Sequence, residues 1–377
     1  MYLLHVHVPG LNSTRRNFLW GAASSASAFA IASSNFKSSA KSVNHKASPD
    51  GRDVSVDHEW GTLKEVVVGL TNVRVPTKVP NTSKNYLPES SIEFIEKNRG
   101  QWLQECEPDL NQQSIDQMNS IISILRDRGI IVHQVEKLSD AETNYLATDS
   151  DAVMQTFPRD PILVIGNKVI ETSMHEPYRR KERFAIRRTI EKRLQKSGSY
   201  LVSMPQPDPY QSRSVGDYGP GPYLEGGDVM LVGKDIYVGH TGNATNLAGI
   251  RWLSDYLGQE YRVHAVPLSR RFLHLDTTLA LPRPGLAIVC QEAFTEGLPK
   301  FLNGWKLINV SADDAEKKLG CNGLVLSKDS IIIGDNLPGL KKELEAEGLE
   351  VITTPIDALS WQGGGFRCWH HPLIRLG

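Results

Sequence analysis

Short apolar runs, broken by two to four polar residues, recur along this chain from Glu65 onward. Val66, Val67 and Val68 make the first, an almost fully apolar strand. Ile162–Ile170, Val229–Val238 and Leu324–Ile333 each read as two strands joined by a short polar turn, Gly166-Asn167, Gly233-Lys234 and Lys328-Asp329. Thr278–Val289 forms a fourth hairpin, turning at Pro282-Arg283-Pro284-Gly285. After each of the three regular hairpins the spacing predicts a helix, over 181–196, 247–257 and 340–347, and then a strand near 200–204, 261–266 and 349–353. A helix over 115–128, closed by Gly129 and followed by a strand over 130–135, is the first unit. Hairpin, helix and strand repeated in this way predict a single α/β domain with internal pseudo-symmetry. Its helices would coat the outside of strands radiating from a centre, and the loops at the strand ends would converge on one pocket.

Composition adds few constraints. The chain has 377 residues, enough for one large domain or two ordinary ones, with 40% hydrophobic and 23% charged residues. A formal net charge of −1 gives no global field for nucleic acid or an anionic membrane, so the expected partners are small molecules, with a homo-oligomer left open. The basic stretch 179–196 carries Phe184, Ile186, Ile190 and Leu194 within it and reads as a solvated helix face. Cys106, Cys290, Cys321 and Cys368 are too few and too far apart for a disulfide scaffold or a paired-cysteine metal site. His370 and His371 are adjacent, so on a strand they point to opposite faces. No metal and no cofactor are expected. At the N-terminus, Arg15-Arg16-Asn17-Phe18-Leu19 before a small-residue stretch reads as a twin-arginine export signal, which would place the protein in the periplasm; otherwise it is cytoplasmic. The leader is assigned to 1–40, a Ser- and Lys-rich linker to 41–57 and the catalytic domain to 58–377.

Candidate chemistry gathers at four segments. Cys368 follows Gly363-Gly364-Gly365, a run that lets a ligand approach the sulfur closely. Glu225-Gly226-Gly227-Asp228 sets two acids ahead of the strand at Val229, and Asp160 leads into the strand at Ile162. His274 and Asp276 are two apart and share a face of an extended backbone. Taken singly, each has an ordinary structural use: a buried thiol, a core imidazole, an acid capping a bend, or Asp160 paired with Arg159. Together they suit a planar guanidinium. Asp160 and Asp276 would accept its N–H groups, Cys368 would attack its carbon, and His274, oriented by Glu225, would move the protons.

With these residues in view, the chain from about Glu59 to its end resembles the guanidino-group modifying superfamily, with its pentein or five-bladed α/β propeller fold. The resemblance rests on an acid before a hairpin, Glu225-Gly226-Gly227-Asp228, His274-Leu275-Asp276 and a near-terminal glycine-rich Cys368. It implies Cys368 as nucleophile, His274 as acid/base, Glu225 as its carboxylate partner, and Asp160, Asp276 and Asp228 about the guanidinium. Asn246–Leu253, Tyr261-Arg262-Val263-His264 and Gly363–Trp369 are similar to glycine-type amidinotransferases. Such transferases usually carry Asp-Ala-Ala-Asp where this chain has Glu-Gly-Gly-Asp, the form of the deiminases and dimethylaminohydrolases. They also place an arginine near Ala293 to hold the donor carboxylate; here either Arg159, Arg271 or Arg283 replaces it or the donor is a guanidine other than arginine. The implied activity is amidino transfer from arginine or a related guanidine to an amine through an S-amidino-cysteine. A deiminase or dimethylarginine dimethylaminohydrolase-like hydrolase is the alternative, and an inactive exported guanidine-binding pentein a second one.

Overall fold

A computed structural model describes residues 52–145, 151–207 and 220–377, all within the compact unit His45–Gly377. The leader, and the export signal read in it, lie outside the described residues.

Five three-stranded sheets of one build carry the fold. In blade two, Ile162–Ile165 and Lys168–Glu171 form an antiparallel hairpin, and Leu201–Ser203 joins parallel to the second strand. Blade three repeats this with Val229–Val232, Asp235–His240 and Arg262–Pro267. Blade four uses Leu279–Arg283, Leu286–Val289 and Lys306–Asn309; blade five uses Leu324–Ser327, Ser330–Gly334 and Glu350–Thr354. Gly166 and Gly233 have φ of 56° and 64°, the left-handed conformation that two-residue hairpin turns require. The parallel third strand needs a crossover, supplied in blades two, three and five by the helices Glu182–Leu194, Leu247–Leu257 and Pro338–Ala346. Blade four crosses instead through the 3₁₀ turns Gln291–Ala293 and Lys300–Leu302, which is why its sequence lacks a helical period.

Blade one is assembled from both ends of the domain. Thr62–Val68 pairs antiparallel with His370–Leu376 and parallel with Ile131–Gln134, which follows the long helix Pro108–Asp127. The sequence's first unit is therefore a hairpin whose second half is more than three hundred residues away. Apolar clusters link the blades in turn. Leu63 and Val66 of blade one pack with Leu324 and Ile332 of blade five. Ile331 of blade five packs with Leu279 and Ile288 of blade four and Met230 of blade three. Val229 and Val238 of blade three pack with Ile162 and Val169 of blade two and with Val67 and Leu373 of blade one. The ring is closed.

Two expectations need correction. Residues 52–57 are packed into the domain: Val54 and Val56 are buried, Ser55 exchanges backbone hydrogen bonds with Leu373 and Arg375, and Val56 does so with Gly166. Alternate apolar residues in a polar stretch, Val54 and Val56, were the signal for that packed segment. The start of the basic stretch is also not solvated. Arg179, Arg180 and Lys181 are buried, with Lys181 held by Asp151 (2.6 Å) and the Thr143 carbonyl (2.7 Å).

Candidate active site

Each blade's first strand is entered from the same end of the ring, and the entry loops carry the candidate side chains. Asp160 stands two residues ahead of Ile162, Glu225 and Asp228 ahead of Val229, His274 and Asp276 ahead of Leu279, and Cys368 two residues ahead of His370. A cleft of about 540 Å³, counted with its open mouth, is lined by Asp160, Arg179, His274 and Cys368 at its polar end. Tyr86, Leu87, Ile95, Phe157 and Trp361 line its apolar side. The segment 76–97 covers one wall, with its helix Glu89–Lys97 held in an apolar cluster of Val75, Val79, Leu87 and Ile95.

Buried ion pairs fix the catalytic candidates. The His274 Nε2 lies 2.9 Å from Glu225 Oε2, while Glu225 Oε1 accepts a hydrogen bond from the His175 backbone N–H at 3.0 Å. The other ring nitrogen, Nδ1, lies 3.7 Å from Asp160 Oδ1. Burial opposes charge on His274, but Asp160, Asp228 and Glu225 outweigh it and push its pKa up to about 10. Burial likewise opposes the Glu225 carboxylate, yet the hydrogen bond and charge of His274 bring its pKa down to about 2. Asp160 accepts a bond from the Gly227 N–H at 3.0 Å and pairs with Arg179 at 3.0 Å. The donor atoms of Asp160, Glu225 and His274 lie within 4.8 Å of one another, close enough for a divalent ion. Arg179, 3.0 Å from Asp160 and 3.5 Å from Glu225, already supplies the positive charge there, so the trio reads as an ion-pair cluster.

Cys368 is buried, and its thiol donates to Asp276 Oδ2 at 3.4 Å. Burial, then the charges of Asp276 and Asp160, push its pKa well above the ordinary thiol value. Asp276 Oδ2 also accepts from Arg367 Nη1 at 2.9 Å, and Arg367 is held in turn by a bidentate pair with Glu59 at 3.1 Å for both bonds. The remaining oxygen of Asp276, Oδ1, is buried without a partner, a place for an N–H donor. The turn ahead of Cys368 is close-packed: a Cβ on Gly364 would meet the Phe157 ring at 2.6 Å. That contact accounts for the glycine where a ligand would pass.

Of the sequence-predicted residues, Asp160, His274 and Cys368 line the cleft, while Glu225 and Asp276 stand behind it against His274 and Cys368; Arg159 and Asp228 touch neither the cleft nor the sulfur. Arg159 is absent from the cleft lining; its Nε donates to the Arg367 carbonyl at 3.2 Å, and its backbone N–H to the Cys368 carbonyl at 3.4 Å. It supports the Cys368 turn from behind, and the arginine that reaches the cleft is Arg179. Asp228 also stays outside, its Oδ1 accepting from the Leu275 N–H at 3.0 Å, so that it holds the His274–Asp276 turn in place. Burial pushes its carboxyl up to about 7. Sequence reasoning missed Arg179, Arg367, Glu59 and Asn322. The last had a signal, because Asn322 stands two residues ahead of Leu324 in blade five, where Asp160 stands in blade two.

Comparison with known proteins agrees with this geometry. Residues 88–375 match the family described as N,N dimethylarginine dimethylhydrolase, eukaryotic. The mitochondrial glycine amidinotransferase of Gallus gallus is 28% identical over 392 residues, covering 95% of this chain and 91% of that protein. A putative inosamine-phosphate amidinotransferase 2 of Streptomyces griseus is 28% identical over 344 residues, covering 83% of this chain and 94% of that one. Among solved structures, inosamine-phosphate amidinotransferase StrB1 from Streptomyces griseus superposes with a TM-score of 0.71 at 24% identity, over 86% of this chain and 97% of that chain, which shows the fold. The chain belongs to the eukaryotic-type N,N dimethylarginine dimethylhydrolase family of the guanidino-group modifying pentein superfamily, close to the amidinotransferases.

Proposed function

We propose that the protein is an amidinotransferase, moving the amidino group of arginine or a related guanidine to an amine through a covalent intermediate on Cys368. The observation that carries this reading is the convergence of a buried thiol, a charged imidazole paired with Glu225, and the acid Asp160 on one cleft. A guanidinium entering between Asp160 and Asp276 replaces the charge those acids otherwise set against the thiolate, and the thiol gives its proton to water in exchange. The sulfur then attacks the guanidinium carbon, forming an S–C bond. His274 delivers a proton to the departing amine as the C–N bond breaks, and becomes neutral. In the second half an acceptor amine loses a proton to His274 and attacks the amidino carbon; the new C–N bond forms as the S–C bond breaks. Glu225 holds the ring for both transfers.

Hydrolysis of the same intermediate is the second reading, favoured by the family match and by the Glu225-Gly226-Gly227-Asp228 form. The transferase reading has the support of full-length relatives named amidinotransferases and of the apolar wall made by Tyr86, Leu87, Ile95 and Trp361, which would keep water from the intermediate. Incubation of the full chain with arginine, with and without a panel of primary amines, separates them by mass spectrometry of the products. Transfer is expected to give ornithine and a new guanidino compound only when an amine is present. Citrulline or urea formed without any amine means a hydrolase. Either activity is expected to vanish in Cys368→Ala, and turnover retained by that variant removes the covalent mechanism. Export rests on the leader's residues alone; fractionation of cells with Arg15 and Arg16 replaced by lysine tests it.

A further inference from the structure

The loop entering blade five brings one more side chain to the sulfur. Asn322 is fully buried, and its amide is gripped at both ends. Its Oδ1 accepts from the Gly365 N–H at 3.1 Å and the Cys368 N–H at 3.3 Å. Its Nδ2 donates to the Asp276 carbonyl at 3.0 Å and reaches Cys368 Sγ at 3.2 Å. The partners fix which end is which. Two backbone N–H groups demand the oxygen on one side and a carbonyl demands the nitrogen on the other, so a flipped amide would lose three of these four bonds.

We propose that Asn322 is a catalytic residue of this site, its amide N–H forming the hydrogen bond that stabilises the Cys368 thiolate. The other groups facing the sulfur explain why it needs one. Asp276 lies 3.4 Å from it on the blade-four loop, and Asp160 acts on it from the blade-two loop; both oppose a thiolate until a cation sits between them. Arg367 is spent on Glu59 and Asp276, and His274 is committed to Glu225 on its Nε2 side. Asn322 is neutral, so it supports negative sulfur without drawing in a competing anion, and it is oriented before any substrate arrives. Asn322 thus gives blade five its share in a site to which the other four entry loops also contribute.

The inference rests on Cys368 as the nucleophile, but its test reads ionisation and not turnover. The rate of alkylation of Cys368 by iodoacetamide is followed across pH by mass spectrometry of its peptide, in the full chain. Asn322→Ala is expected to move the midpoint to higher pH and slow alkylation at neutral pH roughly tenfold, the scale of one hydrogen bond to a charged group. Asn322→Asp keeps the oxygen that holds the Gly365–Cys368 turn but sets a carboxylate oxygen against the sulfur, and is expected to be slower still. A purely structural role for Asn322 predicts the reverse order, with aspartate close to wild type and alanine worst. That reverse order, or an unchanged pH profile in a variant with wild-type circular dichroism, overturns the proposal while leaving the role of Cys368 intact. Should the alanine variant fail to fold, the near-isosteric aspartate variant carries the test alone.

Discussion

His274 and Glu225 sit in surroundings that would neutralise either alone, and each keeps the other charged. Burying a charge is costly unless a partner and hydrogen bonds replace water, and here Asp160, Asp228 and Glu225 surround one imidazole. The consequence is a specific dependence of stability on pH. The His274 pKa is raised from 6.5 to about 10, so its contribution to stability is complete below pH 6.5 and is lost as pH rises through 10. Glu225 is lowered from 4.5 to about 2, so its contribution is complete above pH 4.5 and is lost as pH falls through 2. Both are fully present between pH 4.5 and 6.5. The melting temperature of wild type is therefore expected to exceed that of His274→Gln by most in that window, with the gap closing toward pH 10. A gap that stays constant from pH 5 to 10 would mean that His274 carries no buried charge. The same crowding explains Gly227, where a Cβ would meet His274 Nδ1 at 2.4 Å and Asp160 Oδ1 at 2.9 Å.

The covering segment differs in kind from the blades. Its helix Glu89–Lys97 buries Ile95 into a cluster separate from the three that knit the ring, and Phe94 packs at 4.5 Å from Trp361, just ahead of the glycines that precede Cys368. Because its cluster is small and separate, this segment is expected to open without unfolding the ring. Ile95→Ala removes buried contacts on the scale of roughly 2–5 kcal/mol. It is expected to raise the KM for a guanidine several-fold and to speed hydrogen exchange over 76–98, with melting of the ring little changed. If the whole domain instead loses stability by that amount, the segment unfolds together with the blades. This element was also the least legible in the sequence, where polar and apolar residues mix without a clear period from 70 to about 107. The hairpins were legible because inner strands such as Ile162–Ile165 are buried on both faces and so are apolar throughout. Blade four kept the hairpin and lost the helix, and only the hairpin was readable. Cys368, His274, Glu225 and Asp160 were legible because chemistry and spacing coincided. Arg179 and Arg367 were not, because an arginine's partners are set by three-dimensional packing and not by its neighbours in the chain.

A ring of five blades has to be closed somewhere, and this chain closes it at the blade that carries Cys368. The strand His370–Leu376 begins immediately after Cys368 and Trp369 and pairs with Thr62–Val68, so the position of the sulfur depends on a contact between the two ends of the domain. Residues 52–57 reinforce that contact. Ser55 donates to the Leu373 carbonyl at 2.9 Å and accepts from the Arg375 N–H at 2.8 Å, while Val56 makes two bonds to Gly166 of blade two, at 3.0 and 2.8 Å. The segment thus bridges blades one and two and clamps the closing strand from its open edge. Val54 and Val56 belong to the same apolar cluster as Val67, Val164 and Leu373. Replacing both valines by alanine removes four buried methyl equivalents at about 0.8 kcal/mol each, and the cavities left behind add to this, so a loss of roughly 3–5 kcal/mol is expected in chemical denaturation. Because the closing strand also sets the Cys368 turn, the double variant is expected to lose turnover at temperatures below its melting transition, as the end of the chain frays from blade one. Activity that falls only with global unfolding would show that pairing with Thr62–Val68 suffices to hold the sulfur, and that the clamp serves stability alone.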